Sequence, residues 1–321
     1  MEIKKINFSL LFIFLLNQTL FANIQDPTSN MINEPEQEVS KELKEDIKTD
    51  GKEKIKKSKL IIGYYGRPNT KSLGILGQSN IDQLVKKMRE KEQYYKKELN
   101  NTVDIKMAFH IIYGLATSDA GRRGTYMLRL SQKSLMPYIK RAQKENFDLI
   151  IDLQMGTNTP VEALKPVLKY LKYDFVHLAL DPEFKIPKHK KYPPGKYIGH
   201  IYAKDLNAAQ ELINNYIIEN NLNKKSLIVH MFHKKMLRDK NLVKKYENVN
   251  LIYNIDGHGS PAVKIKIYNS LYDEDETKIA KSGFKIFYHA DTYIMSPKQI
   301  LGLESANGRQ ILRQPLYINY Q

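Results

Sequence analysis

The chain has 321 residues and contains neither cysteine nor tryptophan, which excludes disulfides, thiolate metal sites and lipoprotein attachment through a cysteine. Its formal net charge at pH 7 is +16. Residues 1–22 carry +1 and residues 23–58 carry −2, so residues 59–321 carry +17. The excess of cations therefore belongs to the C-terminal part of the chain.

The N-terminus has the pattern of a secretory signal. Lys4 and Lys5 precede an apolar run over residues 8–16, and Ala22 is a small residue at the position where a signal peptidase cuts. The apolar run is shorter than the ~20 residues that a transmembrane helix needs. We therefore expect cleavage near Ala22, no stable membrane span afterwards, and export to the periplasm or the extracellular space.

Residues 23–58 are rich in glutamate and lysine and almost free of aromatic residues. Such a composition buries too little apolar surface to offset the entropy of ordering the chain. The sequence predicts a disordered charged linker over residues 23–58, followed by a folded domain over residues 59–321.

Eight short apolar runs in this domain end in polar or ionisable residues and alternate with segments of helical periodicity. They span residues 60–66, 105–112, 149–154, 175–181, 197–202, 227–232, 250–256 and 284–289. Strands alternating with helices indicate a parallel sheet covered by helices. Eight such units in about 250 residues predict an α/β fold, a (β/α)₈ barrel of the TIM type.

Three helix starts are predicted from a hydroxyl residue directly before a proline. Thr159, Ser260 and Ser296 each precede a proline, which needs no amide hydrogen at the first helical position. Glu162, three residues after Thr159, completes a capping box. These helices are expected after the third, seventh and eighth predicted strands.

Strand alternation predicts which side chains face the barrel axis. The residues expected inside are Lys106, Ala108, His110, Asp152, Gln154, His177, Ala179, Asp181, Ile228, His230, Phe232, Ile252, Asn254, Asp256, Lys285 and Phe287. Six strands thus turn an ionisable side chain inward, although a barrel interior is normally apolar and an unpaired buried charge costs several kcal/mol. This convergence at strand ends predicts a binding or catalytic site.

The positive charge alone fits an anionic envelope polymer or a nucleic acid. However, the sequence lacks a base-reading motif, an RNA-binding aromatic signature and zinc-finger spacing. We therefore expect no nucleic acid partner and interpret most lysines as solvated helix faces. A polysaccharide or cell-envelope glycan is the predicted partner.

Paired carboxylates suggest the chemistry. The fourth predicted strand leads into Asp181 and Glu183, and the seventh ends at Asp256. These two strands would lie on opposite sides of a barrel, so the carboxyl groups could face each other across a pocket. Cleavage of a glycosidic bond needs one carboxyl group to protonate the leaving oxygen and another to stabilise or attack the developing cation.

This layout resembles the barrel glycoside hydrolases, and the series as a whole is similar to uncharacterised secreted bacterial barrel proteins. Residues 181–183, Asp-Pro-Glu, also resemble the final Asp-x-Glu of chitinase-type enzymes, in which an N-acetyl group of the substrate assists. The resemblance implies that Glu183 is the general acid, Asp181 tunes it, and Asp256 is the nucleophile or stabiliser. Ala179 departs from the chitinase pattern, which has an aspartate at this position.

Other polar positions would then contact substrate. Asp152, Gln154 and His230 are expected to orient it, and Tyr65 and Arg67 to bind sugar hydroxyls. The remaining predicted substrate-binding residues are His110, Asn254 and Lys285.

Two alternatives share the same barrel. One is a metal-dependent hydrolase or isomerase, with its divalent ion among His110, Asp152, Asp181, Glu183, His230 and Asp256. The other is a non-catalytic carbohydrate-binding barrel in which tyrosine rings stack on sugars. The glycoside hydrolase itself requires no cofactor and no metal.

Overall fold

The computed structural model describes residues 58–190 and 192–321. The predicted signal peptide over residues 1–22 and nearly all of the predicted linker over residues 23–58 lie outside the described residues. None of the described helices combines the length and the apolar composition needed to cross a bilayer.

Eight parallel strands of the described residues close into a barrel. They are β1 (Ser58–Gly66), β2 (Val103–Ala116), β3 (Asp148–Gly156), β4 (Val176–Lys185), β5 (Lys225–Met231), β6 (Val249–Ile255), β7 (Lys281–Ile286) and β8 (Tyr317–Tyr320). Each strand pairs in parallel with the next along the chain, and β8 pairs with β1 to complete the ring. The predicted (β/α)₈ barrel is confirmed.

One predicted strand was wrong. Within residues 197–202 only Ile201–Tyr202 is extended, and it pairs with Leu237–Arg238 in a separate two-stranded sheet. The preceding Gly199 instead donates its amide hydrogen to the carbonyl oxygen of Glu183 at 2.7 Å. The strand that closes the barrel is β8, so the predicted sixth, seventh and eighth strands are β5, β6 and β7.

Helices of varied length fill the connections between strands. They are α1 (Ile81–Glu98), α2 (Gln132–Glu145), α3 (Pro160–Leu164), α4 (Ala203–Glu219), α5 (Pro261–Leu271), α6 (Glu274–Ile279) and α7 (Pro297–Ile300). The side chains of Thr159, Ser260 and Ser296 each accept a hydrogen bond from the amide three residues on, at the starts of α3, α5 and α7. The predicted caps are therefore confirmed, after β3, β6 and β7.

A small apolar cluster fills the barrel interior nearer the N-terminal ends of the strands. It is separate from the larger core between the strands and the helices. It consists of Ile61, Ala108, Ile150, Ala179, Ile228, Ile252 and Tyr317, one from each of seven strands. The predicted inward orientation of Ala108, Ala179, Ile228 and Ile252 is thereby confirmed. Tyr317, on the strand that was not predicted, contributes the largest side chain of this cluster.

Two glycines make room for the Tyr317 ring. A Cβ atom at Gly283 would lie 3.0 Å from the Cδ1 atom of Tyr317, and one at Gly63 would collide with its hydroxyl group. Because β1 and β7 flank β8 in the sheet, both neighbours must lack a side chain for this ring to point inward. The two glycines therefore leave the space that the Tyr317 ring and its hydroxyl group occupy inside the barrel.

Candidate functional site

The polar site begins two residues further along the strands than the apolar cluster. Alternation carries the inward direction from each apolar residue to the next position of the same parity. The residues reached in this way are His110, Asp152, Asp181, His230, Asn254 and Asn319; on β7, which has no residue in the cluster, Lys285 follows Gly283 in the same way, and all seven are buried. Seven strands therefore contribute a polar or ionisable side chain to one region inside the barrel.

Two histidines converge on one carboxylate. The Nε2 atoms of His110 and His230 lie 3.5 Å and 3.6 Å from the Oδ2 atom of Asp152, respectively. Both Nε2 atoms and both oxygens of Asp152 are buried and lack a hydrogen-bond partner. One ligand atom from each of the three residues lies within 4.8 Å of the others, so the group could hold a metal ion.

The outer side of His230 is held by Asp256, just past the end of β6. The Nδ1 atom of His230 lies 2.6 Å from Oδ2 of Asp256, and the Nζ atom of Lys285 lies 3.1 Å from the same oxygen. The side-chain amide of Asn254 donates to the other oxygen, Oδ1, at 2.5 Å. Both oxygens of Asp256 are thus bonded within the protein.

His110 and Tyr65 extend the network toward β1 and β8. The Nδ1 atom of His110 lies 2.6 Å from the hydroxyl oxygen of Tyr317. The Tyr65 ring meets the His110 ring edge-on at 4.9 Å between centroids, and the Nζ atom of Lys285 lies 4.2 Å from the Tyr65 centroid. A lysine ammonium at this distance is stabilised by the ring face.

Asp181 and Glu183 occupy successive inward positions near the end of β4. The backbone amide of Glu183 donates to Oδ1 of Asp181 at 3.1 Å, which fixes the Asp181 carboxyl group. Asp181 is buried, whereas Glu183 is only partly buried. Glu183 is therefore the carboxyl group nearer to the open, C-terminal end of the barrel.

Burial and neighbouring charges separate the pKa values of these carboxyl groups. Burial, reinforced by the charge of Asp181, raises the pKa of Glu183 to about 8. Burial also raises the pKa of Asp181 to about 7, although the charge of His230 opposes this. For Asp256, burial is outweighed by the charges of His230 and Lys285, which lower its pKa. At neutral pH the site therefore holds a protonated Glu183 and an ionised Asp256.

Two predicted site residues bond to backbone instead. The Nη1 atom of Arg67 donates to the carbonyl oxygens of Ile112, at 2.9 Å, and Tyr113, at 3.3 Å. The Oε1 atom of Gln154 accepts the amide hydrogen of Ala116 at 2.8 Å. These contacts tie β1 to β2 and β2 to β3, so both side chains support the walls of the site.

The relation between the carboxylates differs from the sequence expectation. Asp256 follows β6, which is separated from β4 by β5 alone, so the two strands do not lie on opposite sides of the barrel. The position of a nucleophile after the seventh strand is therefore not occupied by Asp256. Residues 197–202, predicted as the fifth barrel strand, do not join the barrel. Each later predicted strand therefore has a number one higher than its position in the barrel.

Tyr317 and Asn319 were not among the predicted site residues, because no strand was predicted at the end of the chain. The Nδ2 atom of Asn319 lies 3.5 Å from Nδ1 of His110, next to the contact with Tyr317. The alternation of residues 316–320, Leu-Tyr-Ile-Asn-Tyr, after a proline is the sequence signal for this strand.

A polar groove at the opposite, N-terminal end of the barrel is a separate feature. Its walls include Lys59, Asp104 and Phe147. Arg89 on its rim pairs with Glu92 at 2.8 Å and with Glu145 at 3.1 Å. Because its arginine and glutamates neutralise one another, we assign the functional site to the barrel interior.

No family model matches this chain, and no curated protein matches it. A solved structure named "BT1044SeMet" is similar, with 15% sequence identity and a TM-score of 0.35. The similarity covers 82% of this chain and 81% of that chain. A similarity at this level carries no argument about function, so the interpretation depends on the site itself.

Proposed function

We propose that this protein is an exported glycoside hydrolase that acts on a polysaccharide of the cell envelope or the surroundings. The observation that carries the proposal is the arrangement of Asp181 and Glu183 at the open end of the barrel. A protonated carboxyl group there can act as a general acid at neutral pH, while a neighbouring ionised carboxylate stabilises positive charge.

Glu183 is the proposed general acid. It donates its proton to the glycosidic oxygen as the bond to the sugar carbon breaks, and the resulting carboxylate then accepts a proton from the attacking water. Asp181 lies directly below, held by the amide of Glu183, and its charge helps to keep Glu183 protonated. Asp181 is thus the proposed tuning residue.

Asp256 is proposed as an electrostatic stabiliser. Both of its oxygens already accept hydrogen bonds from His230, Lys285 and Asn254, and a nucleophile would have to break some of these contacts. A stabilising role leaves the covalent role to an N-acetyl group of the substrate, as the Asp-x-Glu resemblance implies. Oligosaccharides with and without N-acetyl groups distinguish the two routes, because only the former would be cleaved by substrate assistance.

The test is Glu183→Gln, assayed against a panel of oligosaccharides and isolated cell-wall glycan. We expect turnover to fall by about 100-fold or more, since general acid catalysis contributes about 10²–10⁴-fold. Folding and glycan binding should stay close to those of the unaltered protein. Glu162→Gln is the matched control, because Glu162 caps α3 on the same end of the barrel and its side chain is 45% exposed.

Two results would contradict the proposal. Unaltered turnover in Glu183→Gln would remove Glu183 from the mechanism. Glycan binding without any product from the unaltered protein would favour the non-catalytic carbohydrate-binding barrel instead.

A further inference from the structure

Four buried polar atoms inside the barrel face one another without hydrogen-bond partners. They are the Nε2 atoms of His110 and His230 and the two carboxylate oxygens of Asp152. The side chains of all three residues are at most 1% exposed. Leaving such groups unsatisfied costs about 1–3 kcal/mol each, and more for a charged group. A partner shared by all three residues would satisfy these four atoms together.

Direct hydrogen bonds do not supply that partner. A histidine N–H donating to a carboxylate would lie about 2.7–3.2 Å from the oxygen. The two separations from Asp152 are 3.5 Å and 3.6 Å. Around a tetrahedral ion with ligands at about 2.0–2.2 Å, neighbouring ligand atoms are themselves roughly 3.3–3.6 Å apart. The observed spacing therefore fits ligands around an ion better than it fits a hydrogen-bonded pair.

The outer nitrogens of both histidines are held in the way that metal sites require. The Nδ1 atom of His230 meets Asp256 at 2.6 Å, and that of His110 meets the Tyr317 hydroxyl at 2.6 Å. Such outer partners fix the ring orientation and direct the Nε2 lone pair toward a metal ion. The geometry therefore prepares two imidazole nitrogens and one carboxylate for a common ligand.

We propose that His110, Asp152 and His230 bind one divalent transition-metal ion inside the barrel. Two imidazole nitrogens with a carboxylate suit zinc, cobalt or manganese, whereas calcium and magnesium prefer oxygen ligands. The three residues come from β2, β3 and β5, so the barrel must close before the site exists. The ion would lie deeper in the barrel than Glu183. None of its three ligands is a proposed catalytic residue, although Asp256, the proposed stabiliser, contacts the ligand His230.

The experiment uses the full chain, stripped of metal with a chelator and then equilibrated with zinc alone. We expect one zinc per chain by elemental analysis and a rise in melting temperature with zinc concentration, because an ion that binds the folded state stabilises it. In a parallel sample, cobalt bound by the same three residues should give visible absorption bands.

Three variants make the result specific. Asp152→Asn, which preserves shape, should lose the stoichiometric zinc, and Asp256→Asn should weaken zinc binding by about 10–100-fold through His230. His177→Gln is the matched control, because His177 also lies 3.7 Å from an aspartate, Asp148, but belongs to no three-residue cluster among the described residues. It should keep one zinc. Circular dichroism checks that each variant is folded.

Absence of zinc and cobalt uptake by the unaltered protein would overturn the proposal, and so would equal uptake by folded Asp152→Asn. Glu183→Gln separates this inference from the proposed reaction, since Glu183 offers no atom to the cluster. It should bind zinc fully, and loss of zinc binding in this variant would also count against the site as described.

Discussion

His110 and His230 lie 5.3 Å apart between ring centroids, yet their pKa values shift in opposite directions. Burial lowers the pKa of His110 to about 4, because its contact with Asp152 compensates only in part. Burial also acts to lower the pKa of His230, but the charges of Asp256 and Asp152 outweigh it and raise the pKa to about 9. The number of carboxylate neighbours therefore decides which histidine is charged.

The same residue-scale argument predicts a pH dependence of the proposed reaction. Turnover needs protonated Glu183, so kcat/KM should fall as pH rises through about 8, the pKa of this group. In Asp181→Asn the charge that helps to raise this pKa is absent, so the fall should move to lower pH. The measurement is kcat/KM against pH for both proteins, and coincident profiles would disprove the coupling.

At the scale of elements, a buried lysine on α5 joins the loops that follow β6 and β7. The Nζ atom of Lys264 lies 2.9 Å from Oδ2 of Asp291 and donates to the carbonyl oxygens of Gly257 and Lys285 at 2.7 Å each. Asp291 in turn accepts the amide hydrogens of Gly259 and Phe287. This cluster positions the chain around Lys285, which contacts Asp256.

Lys264→Met should therefore destabilise the fold by about 3–5 kcal/mol, because it leaves the Asp291 carboxylate buried without its counter-ion. The measurement is the free energy of unfolding in urea. Lys266→Met, an exposed lysine two residues along the same helix, is the control and should change stability by less than about 0.5 kcal/mol. Similar losses in the two variants would show that the buried ion pair is not the cause.

At the scale of the whole molecule, the interior charges link folding to pH. A group whose pKa is higher in the folded than in the unfolded chain contributes stability below its unfolded pKa and loses that contribution through its folded pKa. In the folded chain the pKa of Glu183 rises from 4.5 to about 8, and the pKa of His230 rises from 6.5 to about 9. The pKa of Asp256 is lowered in the folded chain, so its contribution to stability is present at neutral pH and is lost as pH falls into the acid range.

The melting temperature of the whole protein should therefore fall as pH rises from about 6 to about 9. Glu183→Gln should show a smaller fall, since it lacks one of the groups with a raised pKa, which also include His230 and Asp181. Scanning calorimetry of the metal-free protein at constant ionic strength tests this. An identical fall in both proteins would show that Glu183 does not hold its proton more tightly when folded.

How much of the fold and the site could be predicted from the sequence depends on whether a feature is set by neighbouring residues or by residues far apart in the chain. Alternation within one strand is local, so the sequence alone placed Asp152, His230 and Lys285 inside a barrel and predicted the caps of α3, α5 and α7. It could not show whether residues 197–202 would pair within the barrel, because strand pairing is decided by distant backbone. In the structure Gly199 donates a backbone hydrogen bond to Glu183 of β4, and Ile201–Tyr202 pairs outside the barrel.

The sequence by itself determined the fold class and the set of inward ionisable residues, since both follow from periodicity along the chain. Only the tertiary structure decided their partners: that His110 and His230 share Asp152, that Asp256 is held by Lys285, and that Tyr317 completes the ring. The physical reason is that closing the barrel brings together residues far apart in the chain, such as His110 and Asn319, which are 209 positions apart. Distances between them depend on the register of all eight strands, which no local pattern records.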